Sequence, residues 1–275
     1  MARVAFQGER GAFGDEAVLR HFGPAAEPLP CRTFADVFTA VATGQAEYGM
    51  VPLENSIAGS INEVYDLLRQ FDLFLQGERV VPVEHCLLAL PGQSLGEIRR
   101  VISHPKALEQ CAGWIRAHGL EAVAEYDTAG SARLIREQGL RGVAAIASRR
   151  AAEIYGLEIL AEGIQDARHN YTRFGVLGRT QAPRQEGPNR TALVMATSHT
   201  PGALYRALGA LARRNINLLK LESRPALGRP WEYVFYLDFE GHRDDPEVAA
   251  ALAELAAQTH WLKVLGSFPR DLSAP

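Results

Sequence analysis

The chain has 275 residues, 47% hydrophobic and 22% charged, the balance of a globular protein of one large or two ordinary domains, which excludes disorder for most of its length. A formal net charge of -3, with no dense Lys/Arg stripe, offers nucleic acid no electrostatic footprint. The N-terminus turns polar at Gln7, Glu9 and Arg10 and no apolar run reaches membrane-spanning length, so a cytoplasmic protein with no membrane partner is expected; Cys31, Cys86 and Cys111, odd in number and without a CxxC, suggest free thiols.

From residue 1 to about 180, short Val/Ile/Leu-rich runs alternate with segments of helical period, the pattern of βαβ units around a mainly parallel sheet. Strands are expected at Val4–Phe6, Tyr48–Val51, Val101–Ser103, Glu121–Tyr126, Val143–Ala147 and Phe174–Leu177. Helices are expected at Asp15–His21, Phe34–Thr43, Asn62–Gln70, Pro105–His118 and Ala129–Gln138. The β-prone run Glu78–Leu90 reads as a passage between two lobes with a cleft between them. Residues 180–188, with Pro183 and Pro188 among polar residues, read as a linker.

A second pattern follows it. Thr191–Thr197 reads as a strand, Pro201–Arg214 as a helix capped by Thr200, Leu218–Glu222 and Tyr233–Phe239 as strands, Pro246–Thr259 as a helix and Lys263–Phe268 as a last strand. The order βαββαβ is the ferredoxin-like arrangement. Helices cover only one face of such a sheet, so its other face or an edge is expected to pair with another copy.

Four polar clusters lie where strands end or helices begin, the places where open α/β sheets bind ligands. Gly8-Glu9-Arg10-Gly11-Ala12-Phe13-Gly14 is G-x-x-G-x-x-G, neither the dinucleotide fingerprint nor a phosphate loop, which argues against NAD and ATP. It is either a turn giving backbone room at a helix start or, with Gly11, a set of N–H groups for a carboxylate. Pro52-Leu53-Glu54-Asn55-Ser56-Ile57-Ala58-Gly59-Ser60 carries more polar groups than one helix cap needs. Ser103-His104-Pro105-Lys106-Ala107-Leu108-Glu109-Gln110-Cys111 sets Ser103 and His104 at a helix start, where His104 is a general acid or simply a cap. In Asn170-Tyr171-Thr172-Arg173-Phe174, Arg173 offers a fork for a carboxylate, Thr172 a hydroxyl and Phe174 an aromatic wall. Neither paired metal-ligating histidines nor the serine-hydrolase G-x-S-x-G occurs, so no metal or cofactor is expected.

Read together, the last three clusters, in this order and spacing, resemble the prephenate dehydratase family. Pro201-Gly202-Ala203-Leu204 and Glu222-Ser223-Arg224-Pro225 resemble the two motifs of the phenylalanine-sensing ACT domain fused to those enzymes, so the likeness spans essentially the whole chain. It implies an α/β catalytic domain over 1–182, folded as a two-lobed type II periplasmic-binding-protein-like domain with its second lobe at roughly 78–160. A linker at 183–189 and an α+β ferredoxin-like ACT domain at 190–270 follow. It also implies conversion of prephenate to phenylpyruvate in phenylalanine biosynthesis, and a homodimer or homotetramer built partly through ACT domains. Carried over by motif, Thr172, Glu54, Asn55 and Gln110 serve catalysis, while Ser56, Ser103, His104, Asn170, Arg173 and Phe174 hold substrate; Gly11, from the glycine turn, is expected to add a backbone N–H to a substrate carboxylate. Pro201, Gly202, Ala203, Leu204, Asn217, Leu218, Glu222, Ser223 and Arg224 hold the effector phenylalanine. Lys106 stands where the family commonly has Gln, and Gly14-Asp15 where Ser-Glu is common. Rival readings are arogenate dehydratase, with the same chemistry on an amine-bearing substrate, and a non-catalytic amino-acid-sensing protein of the same folds. A phosphoribosyltransferase of histidine synthesis joins similar modules, but no matching phosphate loop is present.

Overall fold

The alternating pattern of the first 174 residues builds two sheets. A computed structural model describes residues 1–226 and 233–273 and divides the chain into two units, one of residues 1–64 and 79–174, the other of residues 65–78 and 175–273. In chain order come β1 (Arg3–Gln7), α1 (Phe13–Phe22), β2 (Glu27–Cys31), α2 (Phe34–Ala42), β3 (Tyr48–Asn55), β4 (Gly59–Ser60), α3 (Asn62–Gln70), β5 (Phe74–Pro82) and β6 (Cys86–Ala89). Then follow β7 (Arg100–Ser103), α4 (Pro105–Gln110), α5 (Ala112–Ala117), β8 (Glu121–Ala124), α6 (Thr128–Gln138), β9 (Val143–Ala147), α7 (Arg149–Tyr155), β10 (Glu158–Ala161) and β11 (Tyr171–Gly178).

The first sheet runs β2-β1-β3-β11-β5, with β4 folded back antiparallel on β3. β1 is parallel to both β2 and β3. Pro28 and Pro30 disguise β2 as a loop in the sequence; at the sheet edge, bonded to β1 alone, each needs no second partner for its missing N–H. The second sheet runs β10-β6-β9-β7-β8, with a core of Leu87, Val101, Ile115, Ala144 and Ile146. Its centre is parallel, as expected, but β6 runs antiparallel to both β9 and β10. A short link from β5, with no crossover helix, delivers β6 to the sheet and leaves it free to run in that sense.

One expected helix is two. Between α4 and α5 the backbone breaks at buried Cys111 (φ -112°, ψ 14°). The N–H of Asp166 takes the Gln110 carbonyl at 2.8 Å, and its carboxylate accepts the Gly113 N–H at 3.0 Å, so an outside residue satisfies groups that a continuous helix would pair internally. Burial pushes the Cys111 thiol up to about 12 and the Cys86 thiol to about 11, and all three cysteines are free.

The second unit contains β12 (Asn189–Ala196), α8 (Ala203–Ala212), β13 (Leu218–Pro225), β14 (Tyr233–Glu240), α9 (Pro246–Gln258) and β15 (Trp261–Pro269), the expected βαββαβ order. Its antiparallel sheet runs β13-β14-β12-β15. Leu193, Met195, Leu237 and Phe239 point to one face, where Ala207, Leu211, Ala251 and Leu255 of the two helices close the core. α8 starts at Ala203, not Pro201, and its cap is Gly202 at φ 75°, because a left-handed residue cannot continue a helix toward Thr200.

The other sheet face differs from expectation: residues 65–78 of the same chain lie on it. The Tyr65 and Tyr236 rings pack at a tilt of 58° with centroids 5.0 Å apart, and Tyr236 Oη donates to the Tyr65 carbonyl at 3.1 Å. Lys263 Nζ donates to the carbonyls of Leu68 at 3.1 Å and Phe71 at 2.6 Å, capping the end of α3. Strand alternation sends Tyr236 and Lys263 to the face the helices leave bare, where residues 65–78 of the same chain meet them. No helix among the described residues is long and apolar enough to cross a membrane.

Candidate active site

Thr172 lies near the start of β11, 8% exposed, beside a cavity of 540 Å³ that it lines with Phe174, Pro52, Phe13, His104 and Asp127. Both sheets of the first unit contribute, since Pro52 belongs to β3 while His104 and Asp127 follow β7 and β8. The period of two along β11 brings Thr172 and Phe174 to the cavity and turns Arg173 away from it.

Asn55 at the end of β3 fixes the Thr172 hydroxyl. Its Oδ1 accepts the N–H groups of Ile57 at 3.0 Å and Ala58 at 2.8 Å, which settles which way the amide faces. Its Nδ2 then donates to Thr172 Oγ1 at 3.0 Å, Asn170 Oδ1 at 2.7 Å and the Tyr171 carbonyl at 3.1 Å. Because Oγ1 receives that bond, the Thr172 proton remains available to an acceptor in the cavity. Asn170, 3% exposed, donates through Nδ2 to Gln110 Oε1 at 3.2 Å. Gln110 therefore joins Thr172 through two amides; it lines a neighbouring pocket of 280 Å³ with Asn170, Ile57 and Lys106.

Other expected residues are placed differently. Arg173 pairs with Glu54, Nη2 to Oε2 at 3.2 Å, so its fork meets a carboxylate of the chain itself. Ser103 is fully buried and its hydroxyl donates to the Ile146 carbonyl at 2.6 Å, because the last residue of β7 points inward and must satisfy its polar atom there. Gly11 does not offer its N–H to a ligand: it donates to Asp15 Oδ2 at 3.0 Å. Asp15 is fully buried, also held by Arg10 at 3.1 Å and Arg150 at 2.7 Å, so the glycine loop serves an internal carboxylate. A side chain on Gly11, at φ 90°, would bring Cβ to 2.8 Å from Ala151 Cα. Ser56 Oγ accepts the Tyr171 N–H at 2.9 Å and donates to the His169 carbonyl at 3.3 Å, tying two loops together. His104 caps α4, its Nδ1 accepting the Lys106 N–H at 3.2 Å, while its ring lines the cavity.

Two residues escaped the sequence reading. Asp127, 8% exposed, caps α6 through the Gly130 N–H at 2.7 Å, and burial pushes its carboxyl up against that bond. Its place after a parallel strand, at a helix start, is the available signal. His85, 2% exposed, contacts Gln110 Oε1 through Nε2 at 2.9 Å. A single histidine between two apolar runs gives no signal of its own.

In the second unit, residues 197–205, including Pro201, Gly202, Ala203 and Leu204, line a hollow of 440 Å³ at the start of α8. Neither Asn217 and Leu218 nor the residues of β13 line it. The Asn217 carbonyl accepts the Glu240 N–H at 3.0 Å, and Leu218 packs against the core between sheet and helices. Glu222 pairs with Lys220 at 3.1 Å and Arg224 with Asp66 at 3.1 Å, while Ser223 lies opposite Phe235 in the sheet.

The prephenate dehydratase family model matches residues 4–182, and the ACT domain model residues 192–257. Arogenate dehydratase 1 of Petunia hybrida is 45% identical over 98% of this chain and 68% of its own length. The bifunctional N-acyl-homoserine lactone acylase/prephenate dehydratase of Komagataeibacter europaeus is 43% identical over 97% of this chain and 95% of its own. The crystal structure of prephenate dehydratase from Arthrobacter aurescens in complex with L-Phe is similar at a TM-score of 0.88 and 34% identity, covering 98% of this chain and 90% of that one. With a catalytic-domain match over most of its length and an ACT match after it, the chain belongs to the prephenate dehydratase family.

Proposed function

We propose that this chain converts prephenate to phenylpyruvate, carbon dioxide and water, and that Thr172 is the group facing the departing hydroxyl. The electron pair of the ring-to-carboxylate bond enters the ring as carbon dioxide leaves, and the C–OH bond breaks with its pair on oxygen, which takes up a proton. The ring becomes aromatic, so the reaction is downhill and calls for no redox cofactor. The observation that carries the reading is the direction of one hydrogen bond: Asn55 donates to Thr172 Oγ1 at 3.0 Å, leaving the Thr172 proton for an acceptor in the cavity. Threonine is too weak an acid to surrender that proton outright near neutral pH, so it stabilises the developing hydroxide by hydrogen bonding. In this reading Glu54 sets Arg173, and Asn170 and Gln110 set Asn55. Purified protein incubated with prephenate should develop phenylpyruvate absorbance, and no product at micromolar enzyme would overturn the assignment.

Arogenate is the second substrate to test. The carboxylates of Asp127 and Glu63 line the same cavity and suit an ammonium where prephenate has a ketone. Comparing kcat/KM for the two substrates decides.

Phenylalanine is assigned as effector, with residues 1–182 as the catalytic part, 183–189 as linker and 190–270 as the regulatory part, in a cytoplasmic homodimer or homotetramer. What supports an oligomer is the separation of the two effector motifs within one chain: the hollow at Gly202 draws its lining from residues 197–205, without those of β13. A second copy docked along the β13 edge would complete it. Light scattering with and without phenylalanine, beside calorimetry, tests this; a monomer that binds no phenylalanine at millimolar concentration would overturn it.

A further inference from the structure

The amide chain behind Thr172 does not end at Gln110. Gln110 Oε1 has a second neighbour, His85 Nε2 at 2.9 Å. An amide oxygen only accepts, so the imidazole proton sits on Nε2 and Nδ1 is bare. Nδ1 is buried without a hydrogen-bond partner, which a lone pair tolerates far better than an N–H would. The Phe13 ring, which lines the Thr172 cavity, meets the imidazole in a T-shaped contact with centroids 5.6 Å apart. Burial holds His85 below the ordinary histidine range, against the opposing pull of its bond to Gln110, and so keeps the ring neutral near pH 7.

We propose that His85 is a positioning residue for Thr172, acting through a one-way relay of three amides. The His85 Nε2–H fixes which end of Gln110 is acceptor. Gln110 Oε1 then takes Asn170 Nδ2 at 3.2 Å, which leaves Asn170 Oδ1 to accept Asn55 Nδ2 at 2.7 Å. The same nitrogen donates to Thr172 Oγ1 at 3.0 Å. Turning over either Gln110 or Asn170 sets donor against donor or acceptor against acceptor, so the sense of each bond sets the next. The imidazole does not line the Thr172 cavity; it anchors the far end of the amide chain, through Gln110 and Asn170, whose near end the Ile57 and Ala58 N–H groups hold at Asn55.

This inference rests on the dehydratase reading of the site, and the test separates the two. In the full-length protein, His85→Gln places an amide nitrogen where Nε2 was, whereas the nitrogen of His85→Asn falls at the Nδ1 position and stops short of Gln110. With prephenate, or arogenate if that is the better substrate, His85→Asn and His85→Phe should lower kcat about 10- to 100-fold with KM little changed, the scale of a misplaced catalytic group. His85→Gln should recover the greater part of that loss, and His85→Asn combined with Gln110→Leu should fall no further than the worse single variant. Equal rates for the Gln and Asn variants, or losses that multiply in the double variant, would overturn the relay. A parent inactive on both substrates would instead sink the dehydratase reading. In that event the nitrogen-15 spectrum of the His85 ring still decides: a proton on Nε2, shifted by Gln110→Leu, upholds the first link, and a proton on Nδ1 refutes it.

Discussion

Replacing Thr172 by valine keeps the shape of the side chain and removes only the hydroxyl, so it separates the chemical role from the structural one. The structural loss is small. Asn55 Nδ2 has two hydrogens and, beyond Thr172, still two acceptors, Asn170 Oδ1 at 2.7 Å and the Tyr171 carbonyl at 3.1 Å. No buried donor is orphaned, and stability should change by about 1 kcal/mol or less. The kinetic loss is large: withdrawing one donor from a developing negative charge costs about 100- to 1,000-fold in rate, or about 2.7–4 kcal/mol. Because the hydroxide forms only as the C–O bond breaks, kcat and kcat/KM should fall together with KM nearly constant. Thr172→Ser keeps the hydroxyl and should stay within about tenfold of the parent, the methyl group making no hydrogen bond. Initial rates of phenylpyruvate formation, measured beside thermal melts, make the comparison. A valine variant within threefold of the parent, or a serine variant as slow as valine, refutes the assignment.

The lowered pKa of His85 carries a stability prediction whose sign follows from proton counting. Between the folded value and the unfolded value near 6.5, the unfolded chain binds more protons, so this contribution is fully present above about pH 6.5 and declines below it, by at most about 1.4 kcal/mol per pH unit. The difference in urea midpoint between parent and His85→Gln should therefore shrink as pH falls from about 7.5 to 5.5, and a constant difference would contradict it. In the second unit, an alanine at Gly266 would drive its Cβ into the Leu75 carbonyl oxygen, with the carbonyl carbon at 2.9 Å and the amide nitrogen at 3.0 Å. These are backbone atoms that cannot rotate aside, so Gly266→Ala should cost about 1–3 kcal/mol and lower the melting temperature, and an unchanged melt would mean that residues 65–78 do not lie on that sheet. Gly202→Val forces a β-branched side chain into φ 75° at the start of α8, and calorimetry should show phenylalanine binding weakened at least tenfold; parental affinity would exclude that helix start from the effector site.

Much of the architecture is legible because it rests on local periodicity. The 3.6-residue period from Asn62 to Gln70 and the βαββαβ order after residue 189 correspond to α3 and to the β13-β14-β12-β15 sheet of the second unit. What the sequence hides depends on distant partners. Nothing local to residues 65–78 says that they cover a sheet, since Lys263, which caps α3, is 192 residues from Phe71. Ser103 and Gly11 read as ligand groups because polar residues at strand ends and glycines at helix starts serve ligands in many proteins. Which way a four-residue strand turns its last side chain, or which internal carboxylate claims a free N–H, is settled only by packing.

The site divides along the same line. Asn55, Gln110, Asn170 and Thr172 stand out in sequence because each sits in a dense polar run, yet Asn55 and Asn170, 115 residues apart, meet only through the sheet that holds β3 beside β11. His85 stands alone in an apolar stretch and acquires meaning only from its burial and from Gln110. Residue types supply an inventory of donors and acceptors; the fold supplies the direction of each bond between them. In the proposed mechanism that direction decides what Thr172 can do. With the Asn55 amide turned over, Oδ1 would face Thr172 and take its proton in a hydrogen bond, and the same side chains in nearly the same places would have no donor left for the departing hydroxyl. If Thr172 faces the departing hydroxyl as proposed, the two backbone N–H groups of Ile57 and Ala58 that hold Asn55 the right way round matter to the reaction as much as the hydroxyl does.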